Sequence, residues 1–219
     1  MRLYLASSRT GDAFPELLRM AGPGARVAVV SNAVDFIPDA DRAAYARNVS
    51  DPVAEFRAAG FDAYDLDLRG FFRRPQALLE ELERTRLVWA TGGNAFLLRR
   101  AMRQSGFDAI APGLIWAGRL VYGGWSAGAC VAAPSLRGLE IMDDPAVLAD
   151  GYDPGVVWEG LGLVDAAIVP HYRSDHAEAE AAGRAAAWMA ENRVPHRTLR
   201  DGDVLIQNGE MLELHAGRP

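Results

Sequence analysis

Apolar and polar positions along the chain switch repeatedly between two periods. Short apolar runs fit buried strands at Arg2–Ala6, Arg26–Ser31, Ala63–Asp67, Leu87–Ala90 and Ala166–Val169. Longer stretches with helical spacing lie between them: Ala13–Ala21, Asp39–Ala59 with a break near Pro52, Pro75–Arg84, Ala95–Gln104 and the alanine-rich Ala177–Asn192. Strands that alternate with helices in this way predict an α/β fold, a mainly parallel sheet sandwiched by helices. Near its end the chain changes period. Val204–Ile206 and Met211–Leu214 flank Gln207-Asn208-Gly209-Glu210, which predicts a C-terminal β-hairpin on an Asn-Gly turn. Asp143–Gly162 is rich in Asp, Gly and Pro and reads as a long loop. No repeat, low-complexity tract or linker divides residues 1–219, so a single catalytic domain is expected.

One apolar run leads into the chemistry. Leu120–Tyr122 is followed by Gly123-Gly124-Trp125-Ser126-Ala127-Gly128-Ala129 and then by a helix-like apolar stretch. This is G-x-S-x-G between a strand and a helix, the setting that lifts a nucleophilic serine clear of a sheet. Glycines belong there because the turn is strained and its neighbours pass too close for a Cβ. N–H groups after the serine, at a helix start, can stabilise an oxyanion. In a parallel sheet, ligands collect at the carboxyl ends of the strands, where Ser126 and Gly93 both fall.

Composition narrows the function further. A net charge of −6 disfavours nucleic acid and anionic membranes, both of which require a basic face. The pairs Arg73-Arg74 and Arg99-Arg100 are too short and scattered to change that, and read as solvated helix faces. A lone cysteine, Cys130, excludes an intrachain disulfide and fits a reducing compartment. Four residues after Ser126, it reads as a buried small hydrophobe. No apolar run is long enough to cross a bilayer, and MRLYLASS reads as a first strand rather than a signal peptide, so a cytoplasmic protein is expected.

A serine needs a base, and the base needs a partner that holds its tautomer. Of His171, His176, His196 and His215, His171 ends the strand AAIVPH and so is expected at the same sheet edge as Ser126. His176 follows in a polar loop, His196 falls in a turn after Pro195, and His215 lies near the terminus. For the acid, Asp165, Asp175, Asp201 and Asp203 all remain open on local chemistry. With a histidine base, kcat/KM is expected to rise through a pKa of about 6 to 7.

At this point the chain resembles the peptidase E family of serine dipeptidases, in the class I glutamine-amidotransferase-like superfamily that also holds cyanophycinase. The resemblance covers nearly the whole chain, through TGGNAFLL at Thr91–Leu98, GGWSAGA at Gly123–Ala129, VPHY at Val169–Tyr172 and DGDVLIQNGE at Asp201–Glu210. It implies a flavodoxin-like sheet, a peptide substrate, no cofactor, Ser126 as nucleophile and His171 as base. The acid position falls on Asp201, where the family enzymes carry glutamate. Gly93 and Ala127 N–H groups fall where the family builds its oxyanion hole. Two departures concern specificity: Cys130 replaces an asparagine, and Glu178-Ala179-Glu180 replaces a Glu-Thr-Arg run whose arginine binds an aspartyl substrate. Asn94, Arg173 and Arg184 are the remaining candidate substrate-binding residues. A homodimer is compatible with this reading.

Other readings fit less well. An α/β-hydrolase esterase places its acid before its histidine, requiring Asp165 or Asp175 with His196 or His215. A glutamine amidotransferase would use cysteine as nucleophile. A binding module that has lost catalysis would not be expected to keep Ser126, His171 and an acid. His171 and His176 lack the spacing of a helical zinc pair, so no metal is expected. No G-x-G-x-x-G follows a strand, which disfavours a dinucleotide.

Overall fold

The computed structural model describes residues 1–48 and 50–218. Its strands are β1 (Arg2–Ala6), β2 (Arg26–Val30), β3 (Asp62–Asp65), β4 (Leu87–Ala90), β5 (Val121–Trp125), β6 (Ala167–Val169), β7 (His196–Thr198), β8 (Val204–Asn208) and β9 (Leu212–His215). Its α-helices are α1 (Phe14–Ala21), α2 (Asp39–Asn48), α3 (Pro52–Ala58), α4 (Pro75–Glu83), α5 (Ala95–Ser105), α6 (Phe107–Trp116), α7 (Ala127–Cys130) and α8 (Ala179–Glu191).

Seven strands form one sheet in the order β3-β2-β4-β5-β1-β8-β9. The first five pair in parallel, while β8 runs antiparallel beside β1 and β9 antiparallel beside β8. The central strands are apolar throughout because both faces are covered. In β4, Val88 and Ala90 enter a layer with Leu98, Phe107 and Ile168. Leu87 and Trp89 enter the opposite layer, with Tyr4, Leu17 and Phe56. Local chemistry starts the helices. Asp51 accepts the Ala54 N–H at 3.0 Å ahead of Pro52, and Asn94 accepts the Leu97 N–H at 2.9 Å at the head of α5.

Four sequence expectations are corrected here. The strand before His171 is not part of the main sheet: β6 pairs with β7 in a separate two-stranded parallel sheet. The main sheet offers it no place beside β1, whose edges are taken by β5 and β8. His196 accordingly lies in β7 rather than in a turn. The C-terminal hairpin is present, but β8 runs on through Asn208 and β9 begins at Leu212, so its connection is 209–211 rather than 207–210. Finally, Arg99 and Arg100 are buried, not solvated. Arg99 Nε donates to the Glu159 carbonyl at 2.8 Å, and Arg100 Nη2 to the Pro145 carbonyl at 2.7 Å. The long loop brings carbonyls with no ladder partners against α5, and these two side chains satisfy them. The pattern assigned no element to α6, which carries Pro112 in its interior.

Candidate active site

Ser126 stands between β5 and α7 with φ 48° and ψ −116°, a conformation costly for a residue with a Cβ. Its surroundings enforce it. The Ser126 N–H is shared between the carbonyls of Ala6 and Ser7, each at 3.2 Å. A Cβ on Gly128 would stand 2.1 Å from the Ala90 carbonyl oxygen, and one on Gly124 only 2.8 Å from the Gly128 backbone. The glycines of the motif therefore let α7 lie directly on β4 and β5. Tyr122 donates its hydroxyl to the Gly128 carbonyl at 2.7 Å and fixes that contact from below. Among the described residues the Ser126 hydroxyl has no hydrogen-bond partner, so its oxygen is uncommitted.

Gly93 follows β4 with φ 131°, and a Cβ there would lie 2.6 Å from the Ala33 carbonyl oxygen. Among the described residues, the N–H groups of Gly93 and Ala127 donate to no protein acceptor. Asn94 is differently placed from a free substrate contact. Its Oδ1 caps α5, and its Nδ2 donates to the Asp144 carbonyl at 2.9 Å, tying the long loop to that helix.

His171 is buried and also adopts a left-handed φ of 59°. Its Nδ1 lies 2.7 Å from Asp201 Oδ1, and its Nε2 lies 3.9 Å from Glu178 Oε2. The His176 ring stacks on it, with centroids 3.7 Å apart and planes 7° from parallel. Asp201 sits in the turn before β8, with its own N–H held by Ser174 Oγ at 2.8 Å. The other candidate pairs do not meet. Asp203 accepts from the Gly217 and Arg200 N–H groups, and His196 Nδ1 faces the Val194 carbonyl. Among the described residues neither Asp165 nor Asp175 forms a hydrogen bond or ion pair with a histidine side chain.

Burial of the His171 ring is the dominant influence on its titration and holds its pKa below the usual 6.5. Asp201 pulls the other way by hydrogen bond and charge, while His176 lowers and Glu178 raises it. A neutral imidazole is the form that accepts a proton, so lowering the pKa keeps it available at more acidic pH. The acidic limb of kcat/KM is thus expected below pH 6.5. A pH profile checks this, and a midpoint above 7, on the order of an upshifted histidine, would contradict it.

Around this centre lie the carboxylates of Asp201 and Glu178. Asp143, which accepts the Ala95 N–H at 2.8 Å, is pushed up to about 7 chiefly by burial, with the charge of Glu178 adding to it. The Cys130 thiol is buried and pushed well above its ordinary pKa by burial, then by Asp143 and Glu178, so it is an inert neutral group. The candidate arginines do not offset this charge. Arg184 Nη1 bonds Glu180 Oε1 at 2.6 Å on the outer face of α8, and the Arg173 guanidinium lies over the Tyr172 ring. A cavity of about 160 Å³ opens at the same sheet edge, lined by Gly92 and Trp125, the neighbours of Gly93 and Ser126, together with the apolar Val29, Val34, Pro52 and Val53 and the charged Arg42, Asp51 and Asp65.

His171, His176 and Glu178 each offer a metal-ligand atom, all within 4.8 Å of one another. The arrangement is poor for a cation. His176 Nδ1 accepts the Glu178 N–H at 3.1 Å, which leaves the proton of its neutral ring on Nε2. The stacked rings, moreover, direct their lone pairs side by side rather than toward one point.

A serine on a strained strand-to-helix turn, a buried histidine bonded to a carboxylate, and a mainly parallel sheet together define a hydrolase-like site. Comparison with known proteins specifies it. The family model for peptidase family S51 matches residues 13–215. A peptidase E of Streptomyces coelicolor is 32% identical over 204 residues, 89% of this chain and 73% of that protein. An uncharacterized peptidase of Pasteurella multocida is 29% identical over 175 residues, 78% of this chain and 77% of that one. A crystal structure of a candidate peptidase E from Listeria monocytogenes superposes with a TM-score of 0.76 at 21% identity, covering 98% of both chains. The chain belongs to peptidase family S51, the peptidase E family. Its sheet is the flavodoxin-like, class I glutamine-amidotransferase-like one that the sequence resemblance implied.

Among the described residues no helix is long and apolar enough to cross a membrane. Sequence reasoning missed two residues at this centre, Ser7 and Asp143. Neither belongs to a motif: Ser7 bonds His171 and Asp201, and Asp143 bonds the Ala95 N–H, only once distant segments fold together.

Proposed function

We propose that this chain is a serine peptidase that releases the N-terminal residue of short peptides through an acyl-enzyme. The observation that carries it is the 2.7 Å contact of His171 Nδ1 with Asp201 Oδ1 in a chain whose Ser126 occupies the strained turn. Ser126 Oγ attacks the scissile carbonyl while His171 Nε2 takes its proton, and Asp201 holds the Nδ1–H tautomer. The Gly93 and Ala127 N–H groups receive the oxyanion. His171 then protonates the leaving amine, and water, activated by the same imidazole, hydrolyses the ester. The long loop that Arg99 and Arg100 fasten to α5 limits access to small substrates. A buried lone thiol suits a reducing compartment such as the cytoplasm, and a homodimer is compatible with the fold.

The charge of the site bears on the first residue of the substrate. Glu178 stands 3.9 Å from His171 Nε2, and both candidate arginines are engaged elsewhere. A substrate side-chain carboxylate beside His171 would meet the like charge of Glu178. The cavity beside Trp125 carries Asp51 and Asp65 as well as Arg42, whose guanidinium is bonded to Asp35 at 2.7 Å, so its carboxylates too oppose an acidic side chain. Among Asp-Leu, Asn-Leu, Ala-Leu and Met-Leu dipeptides, the neutral ones are expected to exceed Asp-Leu in kcat/KM by about tenfold or more, the effect of roughly 1.4 kcal/mol. A panel with varied first residue, run on the pure enzyme, tests the reading. Hydrolysis of Asp-Leu alone would overturn the specificity, and no hydrolysis of any dipeptide would overturn the function.

A further inference from the structure

We propose that Ser7 is a positioning residue, a single buried hydroxyl that sets both the His171 main chain and the Asp201 carboxylate. The inference rests on the serine-peptidase reading. Ser7 immediately follows β1 and is fully buried. Its hydroxyl oxygen accepts the His171 N–H at 2.8 Å, and its proton goes to Asp201 Oδ1 at 2.9 Å. The Leu199 carbonyl is the competing acceptor for that proton, but it is neutral and farther away, at 3.3 Å. The backbone of Ser7 is committed to the same region: its carbonyl accepts the Ser126 N–H at 3.2 Å, and its N–H donates to the Asp203 carbonyl at 3.1 Å. One residue thus touches the nucleophile, the base and the acid.

Two physical consequences follow. First, His171 holds a left-handed φ of 59°, and its buried N–H has the Ser7 oxygen as its acceptor. Without that acceptor an orphaned donor adds to the backbone strain, and the segment relaxes by moving the imidazole. Second, Ser7 and His171 donate to the same oxygen, Asp201 Oδ1. A hydroxyl on that oxygen fixes which lone pair faces the ring and draws off part of its negative charge. The carboxylate then stabilises the imidazolium less than it otherwise would. The other groups facing His171 are His176 and Glu178, from the segment that follows it.

Steady-state kinetics of the full chain on its best dipeptide, measured across pH, test the proposal with substitutions at Ser7, Ser8 and Asp201. Ser7→Ala is expected to lower kcat by about 10²-fold with little change in KM, as small misplacements of a catalytic group do. It is also expected to move the acidic limb to higher pH, because Asp201 regains charge toward the imidazolium. Ser7→Cys, which keeps a weak donor and acceptor, should fall between Ser7→Ala and the parent chain, and it carries the test if Ser7→Ala does not fold. Ser8→Ala, next door and outside the network, should leave activity unchanged. In an Asp201→Asn background the Ser7→Ala loss should shrink, since the two act as one unit. Unaltered kcat and pH midpoint in a folded Ser7→Ala or Ser7→Cys variant would overturn the proposal. So would a loss fully additive with Asp201→Asn and without any shift of the limb. Near-normal turnover by Ser126→Ala, assayed alongside, would instead overturn the serine reading itself.

Discussion

Ser126→Ala is expected to lower kcat by about 10⁴- to 10⁶-fold, the loss seen when a nucleophile is removed from such a triad. The fold should be indifferent to the change. The hydroxyl has no hydrogen-bond partner among the described residues, so its removal orphans nothing. The left-handed backbone at 48° is equally strained for alanine and is held by the Ala6 and Ser7 carbonyls and by the tight contact of Gly128 with β4. Activity should therefore vanish while thermal melting stays where it was. Dipeptide turnover and a melting curve on the same preparation check both halves. A folded variant with near-normal turnover would contradict the role.

Asp201→Asn should cost about 10²- to 10⁴-fold in kcat. An amide can present its N–H side to the ring, which favours the tautomer with the proton on Nε2, where no proton can be accepted from Ser126. The shared use of Oδ1 by His171 and Ser7 makes the substitution harsher, because an amide satisfies both donors in only one orientation. Asp201→Glu should be milder. The side chain is partly exposed, so a longer carboxylate has room to bow outward and still reach Nδ1. Kinetics of the two variants at one pH above the acidic limb decide this, and equal losses would contradict it.

Much of this site could be read from the sequence because its chemistry is local. A nucleophile turn requires small residues at fixed offsets, and Gly124 and Gly128 mark that requirement whatever the rest of the chain does. The parallel strands were equally legible, since burial on both faces leaves continuous apolar runs such as Leu87–Ala90. His171 was reached through a premise that the fold corrects, because its strand belongs to the small β6–β7 sheet. Partners distant in sequence left no local signal. Arg99 and Arg100 look like any charged pair on a helix until a loop some fifty residues on, near Pro145–Glu159, brings carbonyls against them. Ser7 is one serine after a strand, and its role exists only once residues 171 and 201 fold onto it. The helix α6 was hidden by Pro112, a residue whose intrinsic cost is overridden here by burial of Phe107, Leu114 and Ile115.

On this mechanism Ser126 forms a covalent acyl-enzyme with His171 as its base. Reaction of the intact protein with a fluorophosphonate, followed by mass spectrometry, probes that step at the atom concerned. A single adduct is expected on the peptide containing Ser126, formed in step with loss of dipeptidase activity and absent from Ser126→Ala. Its rate of formation should follow the same acidic limb as kcat/KM, below pH 6.5. Full dipeptidase activity after exhaustive treatment, or an adduct on any residue other than Ser126 that accounts for inactivation, would contradict the mechanism.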